Sequence, residues 1–207
     1  MNQELRQLLC DLISLPSVNP EHQAGRTEAP YGEGRMADYV QRYFQPFGVR
    51  IERHEALPGR ENVLVHIPGQ SPQPFLLEAH MDTVDVQGMV DPFVPWIEDG
   101  RIYGRGACDT KASLAAMMMA LKQLLGKGVS LPRSCVLAAT ADEEFGMAGA
   151  LRLVRAGMNF SGAIVGEPTA LNVVSAHNGQ VYFKIVAHGQ AAHTSQPQHG
   201  VNAIYVM

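Results

Sequence analysis

The sequence has few of the residues that stabilise small secreted domains or bind nucleic acids. Its 207 residues include only three cysteines, which are far apart and form no C-x-x-C pair. Neither a disulfide framework nor a zinc ribbon is therefore predicted. Lysine and arginine number 16 against 20 aspartate and glutamate residues, and the net charge is −4. That balance argues against nucleic acid or an anionic membrane as a partner.

Long apolar runs are also missing. The longest, residues 114–121, has eight residues, well short of the roughly 18 that a membrane span requires. The first 15 residues mix charges with leucines and lack the basic start and apolar centre of a signal peptide. We therefore expect no membrane association and a cytoplasmic location.

The remaining composition, 46% hydrophobic and 17% charged, is that of a chain able to bury a sizeable core. Apolar periodicity predicts helices over residues 3–15, 34–44, 111–125 and 149–156. Short apolar runs predict strands over residues 62–67, 75–80, 135–140 and 163–166. This alternation predicts an α/β fold with a mainly parallel sheet flanked by helices.

The pattern changes near residue 172, and we place a boundary there, between domains 1–172 and 173–207. Residues 173–176 and 180–187 are predicted strands, joined by an Asn178-Gly179 hairpin turn. The last apolar segment, residues 201–207, begins like a helix and stops. We therefore expect a chain truncated inside a second domain.

Acidic and imidazole side chains follow the predicted strands. His80 and Asp82 come at or after one strand, and Glu143 and Glu144 after another. The remaining two positions are Asp109, which follows an apolar segment at residues 102–103, and Glu167. In open α/β sheets the ligand crevice lies beyond the carboxyl ends of the strands, so these groups can converge there.

Several carboxylates gathered in one cleft repel each other unless cations compensate them. Imidazole together with carboxylate oxygens suits zinc or a neighbouring transition metal. Taken singly, His80 is equally a structural histidine and Asp109 a helix N-cap. The acidic triplet 142–144 and Glu167 are equally solvated loop residues. Their joint placement after apolar runs favours a metal site.

Four motifs carry a resemblance to a known family. They are Ala79-His80-Met81-Asp82-Thr83-Val84, Gly104-Arg105-Gly106-Ala107-Cys108-Asp109-Thr110-Lys111, Asp142-Glu143-Glu144 and Gly166-Glu167-Pro168-Thr169. In this order they resemble the M20 metallohydrolases, and more closely the acetylornithine deacetylase and succinyl-diaminopimelate desuccinylase branch. Residues 188–204 resemble the opening of that family's dimerisation domain.

The resemblance implies a role for each position. Two Zn²⁺ or Co²⁺ ions would be held by His80 and Glu167 on one side and Glu144 on the other, with Asp109 bridging them. Asp82 would orient His80. Glu143 would be the general base for a metal-bridging water, and alternation along extended backbone would point it away from Glu144.

The resemblance also implies partners and a reaction. His193 would reach the site of the partner subunit in a homodimer formed through residues 173–207. The expected reaction is removal of the acyl group from an N-acyl amino acid, and a carboxypeptidase or dipeptidase acting on short peptides is the alternative. Family members carry a further metal-binding histidine near their C-terminus. Because this sequence ends before that point, a third possibility is an inactive fragment that only binds metal or dimerises.

Three basic residues near these motifs leave two interpretations open. Arg101, Arg105 and Lys111 either bind a carboxylate of the substrate or lie solvated at the surface. The residues that select the acyl group and the amino acid are expected mostly beyond this sequence.

Overall fold

The computed structural model describes residues 2–23, 29–179, 181 and 183–207. The chain divides into two units, Met1–Ala170 and Leu171–Met207, and each is described by itself.

The first unit is built around one five-stranded sheet with the order β1-β2-β6-β3-β7. Its strands are β1 (Arg50–Leu57), β2 (Arg60–Ile67), β3 (Gly69–His80), β6 (Leu131–Thr140) and β7 (Ala163–Val165). The β3 strand pairs in parallel with both β6 and β7, whereas β2 pairs antiparallel with β1 and β6. The ends of β3, β6 and β7 therefore meet at one edge of the sheet.

A separate two-stranded ribbon, β4 (Trp96–Glu98) and β5 (Arg101–Tyr103), precedes the longest helix. The rings of Trp96 and Tyr103 stack across this ribbon, with centroids 5.0 Å apart. The apolar segment at residues 102–103 therefore belongs to the ribbon and not to the main sheet.

Helices cover both faces of the sheet. They are α1 (Gln3–Ile13), α2 (Gly34–Phe44), α3 (Lys111–Gly126) and α4 (Ala148–Arg155). The first three pack on one face, against alternate strand residues such as Val63, Val65 and Leu137. The opposite face, with Leu64 and Val136, packs against α4. Burial on both faces explains the continuous apolar runs at residues 63–65 of β2 and 135–139 of β6.

The predicted α/β class, a sheet flanked by helices, is confirmed, and the sheet is mixed. The four helices begin and end within two residues of their predicted bounds. The β1 strand was not predicted, because none of its residues is buried and four of its eight residues are charged. Among the described residues, no helix is long and apolar enough to cross a membrane.

The second unit contains little regular structure in its described residues. A bridge joins Gln190 to Val201, and a short helix, α5 (Ala203–Val206), follows. The predicted hairpin is wrong for residues 173–179, 181 and 183–187, which form no strand, while Gln180 and Tyr182 lie outside the described residues. A lone hairpin is only marginally stable without a packed face, and these side chains are mostly exposed.

Candidate metal centre

The parallel strands bring the predicted site residues to one edge of the sheet. His80 is the last residue of β3 and is 1% exposed. Glu143 and Glu144 follow β6, and Glu167 follows β7. Asp109 does not follow a strand of the main sheet, because it lies between the ribbon and α3, two residues before the helix begins.

The His80 ring is the centre of the cluster. Its Nε2 atom lies 3.1 Å from Asp109 Oδ1, 3.8 Å from Glu143 Oε2 and 3.9 Å from Glu167 Oε1. Its Nδ1 atom contacts the backbone carbonyl of Asp82 at 2.9 Å, whereas the Asp82 carboxylate is 3.6 Å away. The backbone carbonyl therefore orients the ring directly, and the Asp82 carboxylate acts on it through charge.

The crowding of carboxylates changes proton affinities. Burial lowers the pKa of His80, but hydrogen bonding with Asp109 and the charge of Asp82 outweigh it and raise this pKa to about 11. Burial raises the pKa of Glu144 and of Glu167 to about 7, although the His80 charge opposes the change. Without a metal ion, the cluster therefore retains protons that ordinary carboxyl groups would release.

Glu143 and Glu144 lie in a turn, residues 142–147, which we call the acidic turn. Asp142, two residues after the end of β6, has a left-handed φ of 67°, and a turn follows it. The prediction that extended backbone separates Glu143 from Glu144 is therefore wrong. Instead, the backbone N–H of Val84 donates to Glu144 Oε1 at 3.2 Å, while Glu143 Oε2 approaches His80.

The donor atoms fit divalent cations. His80, Asp109 and Glu144 form one group of ligand atoms that all lie within 4.8 Å of one another, and His80, Glu143 and Glu167 form a second such group. One imidazole with several carboxylate oxygens is a donor set that zinc and its neighbours accept. All four residues predicted as metal ligands thus lie in the cluster, and Glu143 lies there too.

A cavity of about 350 Å³ adjoins Asp109 and Glu144. Apolar side chains line most of it, among them Val84, Met89 and Trp96. The cavity therefore offers room for an apolar group next to the candidate metal ligands.

The structure settles the open interpretation for Lys111. Lys111 is fully buried, and its Nζ atom donates to the carbonyls of Leu12 at 3.0 Å and Leu15 at 2.7 Å. It therefore neither binds substrate nor lies solvated, and burial lowers its pKa to about 7. Arg105 donates through Nη2 to the carbonyl of Asp85 at 2.7 Å.

His193 belongs to the second unit and is exposed. Its Nδ1 atom lies 2.8 Å from the hydroxyl of Ser195 and accepts the Ser195 backbone N–H at 3.3 Å. Its role in the site of a partner subunit stays a prediction.

Several buried polar residues around the acidic turn were missed by sequence reasoning. They are Asn19, Glu33, Arg60 and Asn62. Each contacts a residue at least 27 positions away, so no local spacing marks it. Only their burial in the folded chain reveals them.

The fold and the cluster together define an α/β protein with a histidine–carboxylate site suited to divalent cations. Residues 76–204, more than half of the chain, match Peptidase family M20/M25/M40. The chain therefore belongs to this family of hydrolases.

Solved structures show the same fold. An M20 metallo-carboxypeptidase from Sulfolobus solfataricus is 25% identical with a TM-score of 0.66; the match covers 80% of this chain and 37% of that protein. Human carnosine dipeptidase 1 is 20% identical with a TM-score of 0.66, over 79% of this chain and 38% of that protein. A dinuclear metal-binding M20 peptidase from Bacillus subtilis is 17% identical with a TM-score of 0.54, over 78% and 41%. The chain thus spans about two fifths of the length of each protein.

Proposed function

We propose that the protein is a two-metal exopeptidase that hydrolyses the amide bond of a short peptide. The observation that carries the proposal is the convergence of Asp109, Glu143 and Glu167 on one atom, His80 Nε2, within 3.9 Å. Carboxylates gathered this closely repel one another unless cations compensate them. An imidazole with several carboxylates is also a ligand set expected of a metal site.

In this proposal His80 and Glu167 would hold one ion, Glu144 would hold the other, and Asp109 would serve as a ligand of both. Zinc and cobalt both accept these ligands. Divalent ions bound there would lower the pKa of a water molecule and polarise the scissile carbonyl. We propose that the metal is either zinc or cobalt.

Glu143 is the proposed general base. Burial raises its pKa above the ordinary value, and its Oε2 atom lies near the centre of the cluster. A carboxylate with a raised pKa is a better proton acceptor near neutral pH. It would take a proton from the attacking water and return it to the leaving nitrogen. Asp82 would orient the His80 ring, which binds a metal ion in its neutral form.

Two of the structurally similar proteins support the peptidase assignment, since one is a carboxypeptidase and the other a dipeptidase. A second candidate is deacylation of an N-acyl amino acid, as in the acetylornithine deacetylase branch. The Gly166-Glu167-Pro168-Thr169 motif favours it by resemblance. The cavity beside Asp109 and Glu144 would accommodate an apolar part of either substrate.

We also propose a cytoplasmic location and a homodimer formed through residues 173–207, with His193 serving the site of the partner subunit. Large apolar side chains of the second unit are exposed, and burial in a dimer would remove them from water. They include Val173, Val181, Phe183 and Ile185. Sedimentation of the purified protein tests the dimer.

The test of the function measures metal content and hydrolysis together. The chain would be purified alone and also fused to the C-terminal remainder of an M20 relative, then loaded with Zn²⁺ or Co²⁺. Dipeptides and N-acetyl amino acids, including acetylornithine, are the substrates, and His80→Ala is the control.

Metal binding that His80→Ala abolishes, with cleavage of dipeptides, supports the proposal. Preferential release of acetate establishes the deacylase instead. Bound metal without hydrolysis in either protein would identify a non-catalytic metal binder, and failure to bind metal would contradict the site itself.

A further inference from the structure

Four consecutive backbone N–H groups at the start of the acidic turn donate to buried side-chain oxygens from elsewhere in the chain. Ala141 donates to Asn62 Oδ1, and Asp142 donates to Glu33 Oε1, both at 3.1 Å. The next two amides, those of Glu143 and Glu144, donate to the two oxygens of Asp82, also at 3.1 Å. Hydrogen bonds from its backbone N–H groups therefore hold the turn in place. The side chains of Glu143 and Glu144 are not used for this and can reach the cluster around His80.

The side chains of Asn19 and Arg60 link these acceptors to one another. We call Asn19, Glu33 and Arg60 the frame. Asn19 donates through Nδ2 to Asp82 Oδ2 at 2.7 Å and to Asp142 Oδ1 at 3.0 Å. Its amide thus separates two buried carboxylates that would otherwise repel each other. Because one Asn19 nitrogen contacts both, a shift of Asp142 relative to Asp82 breaks at least one hydrogen bond.

Arg60 forms the second link. Its Nε and Nη2 atoms make a two-point contact with the Glu33 carboxylate, with Nε 2.9 Å from Oε2. Its Nη1 atom lies 3.1 Å from Asp142 Oδ1, an ion pair without the angle of a hydrogen bond. Arg60 is 8% exposed and Glu33 is 0% exposed, so water does not screen this pair.

We infer that Asn19, Glu33 and Arg60 are positioning residues that fix the acidic turn, and through it Glu143 and Glu144, against His80. The inference rests on the proposed function, because it assigns the frame a purpose in catalysis. Its physical basis is that Asp142 holds a left-handed backbone conformation at the start of the turn. That conformation is unfavourable for a residue with a side chain and persists only where surrounding contacts determine it.

The frame should affect catalysis, whereas a buried ion pair that only stabilises the fold should not. Displacement of a catalytic group by about 1 Å can lower the rate of turnover about 100-fold. Loss of the frame should therefore lower kcat, whereas KM should change little because none of the three residues lies in the cluster that would meet the substrate.

The experiment compares Arg60→Lys with Arg53→Lys. Arg53 is a matched control because it also contacts two acidic residues, Glu61 in β2 and Asp38 in α2, both at 3.0 Å, and neither of them contacts the acidic turn. Lysine retains the charge at both positions and removes the guanidinium fork. Asn19→Ala, which changes no charge, is a second variant in case Arg60→Lys yields too little folded protein.

Two measurements are made on each protein. Amide hydrogen exchange by NMR follows the N–H groups of Glu143 and Glu144, with Val65 in β2 as a reference in the core. Hydrolysis by the metal-loaded fusion with the C-terminal remainder of an M20 relative gives kcat and KM. For Arg60→Lys and Asn19→Ala we expect exchange at both glutamates to accelerate at least about tenfold while Val65 stays protected. We expect kcat to fall about 10- to 100-fold with little change in KM.

Unchanged exchange at Glu143 and Glu144, or faster exchange at Val65 to the same extent, would overturn the inference. So would faster local exchange with an unchanged kcat. Arg53→Lys should leave all these quantities at their wild-type values. A wild-type protein that binds no metal and hydrolyses nothing would instead contradict the proposed function, and the exchange data would separate that failure from a failure of the frame.

Discussion

The carboxylate of Asp82 accepts the backbone N–H of Glu143 at 3.1 Å, although 61 residues separate them in sequence. Asp82 also lies beside His80, the residue on which the carboxylates of the cluster converge. A single aspartate thus links the imidazole at the end of β3 to the turn after β6. The interaction connects the two halves of the candidate site.

Replacing Asp82 with asparagine should weaken both links. One carboxylate oxygen would become an NH₂ group facing N–H donors, and His80 would lose a neighbouring negative charge. We expect metal affinity to fall about 10- to 100-fold, as for other residues that orient a metal ligand. Titration with Zn²⁺ followed by calorimetry measures this, with the exposed Asp38→Asn as the control. Equal affinities in wild type and Asp82→Asn would contradict the prediction.

Glu143→Ala should separate catalysis from metal binding. We expect turnover to fall by about 10²- to 10⁴-fold or more, because a general base is removed. Metal content, measured by mass spectrometry, should remain that of the wild type. Since Glu143 Oε2 lies only 3.8 Å from His80 Nε2, the opposite result has a clear meaning. Loss of metal together with turnover would make Glu143 a ligand.

The pH dependence of stability should reveal the carboxylate cluster in the metal-free chain. The pKa values of Glu144 and Glu167 are about 7 in the folded chain, above the ordinary value of 4.5. Between these values the folded state binds more protons than the unfolded state, so the free energy of unfolding falls as pH rises. We expect a lower Tm at about pH 7 than at about pH 5.5.

Added Zn²⁺ should reverse that trend, because the metal binds the deprotonated carboxylates and therefore stabilises more at the higher pH. Differential scanning fluorimetry with and without Zn²⁺ measures both effects. The double variant Glu144→Gln and Glu167→Gln should show a smaller pH slope without metal. A metal-free wild type whose Tm rises from about pH 5.5 to about pH 7 would contradict the assignment.

Gly149 allows α4 to approach the end of β6. A Cβ atom there would lie 2.4 Å from the Ala141 carbonyl oxygen and 2.6 Å from Asn62 Oδ1. We expect Gly149→Ala to lower the free energy of unfolding by about 1–3 kcal/mol, as other overpacked variants do. Gly126→Ala, at the end of α3 with no atom within 4 Å of its Cβ, should be neutral or stabilising. Urea denaturation compares the two, and equal stabilities would contradict the prediction.

Local sequence patterns predicted those helices and strands in which buried apolar residues recur at regular spacing. The α3 helix and the buried strand β6 follow from apolar spacing alone, and His80 and Glu167 follow from the ends of parallel strands. The β1 strand escaped prediction because it is an edge strand without a buried residue, so charged residues such as Arg50 and Glu52 leave no apolar pattern along it.

The supports of the site could not be predicted in this way. Lys111 follows Asp109 closely and looks like a substrate-binding residue, yet only the packing of α1 against α3 shows that its charge faces backbone carbonyls. Asn19 and Arg60 are similar cases, since their partners lie 63 and 27 or more residues away. Such contacts depend on tertiary structure and leave no spacing in the sequence.

The family match begins at residue 76, whereas Asn19, Glu33 and Arg60 all precede it. A gene fragment cut where recognisable similarity starts would encode every candidate metal ligand of the first unit and none of these three side chains. Domain dissection or chimeric fusion of this protein should therefore keep these three residues together with the candidate metal ligands.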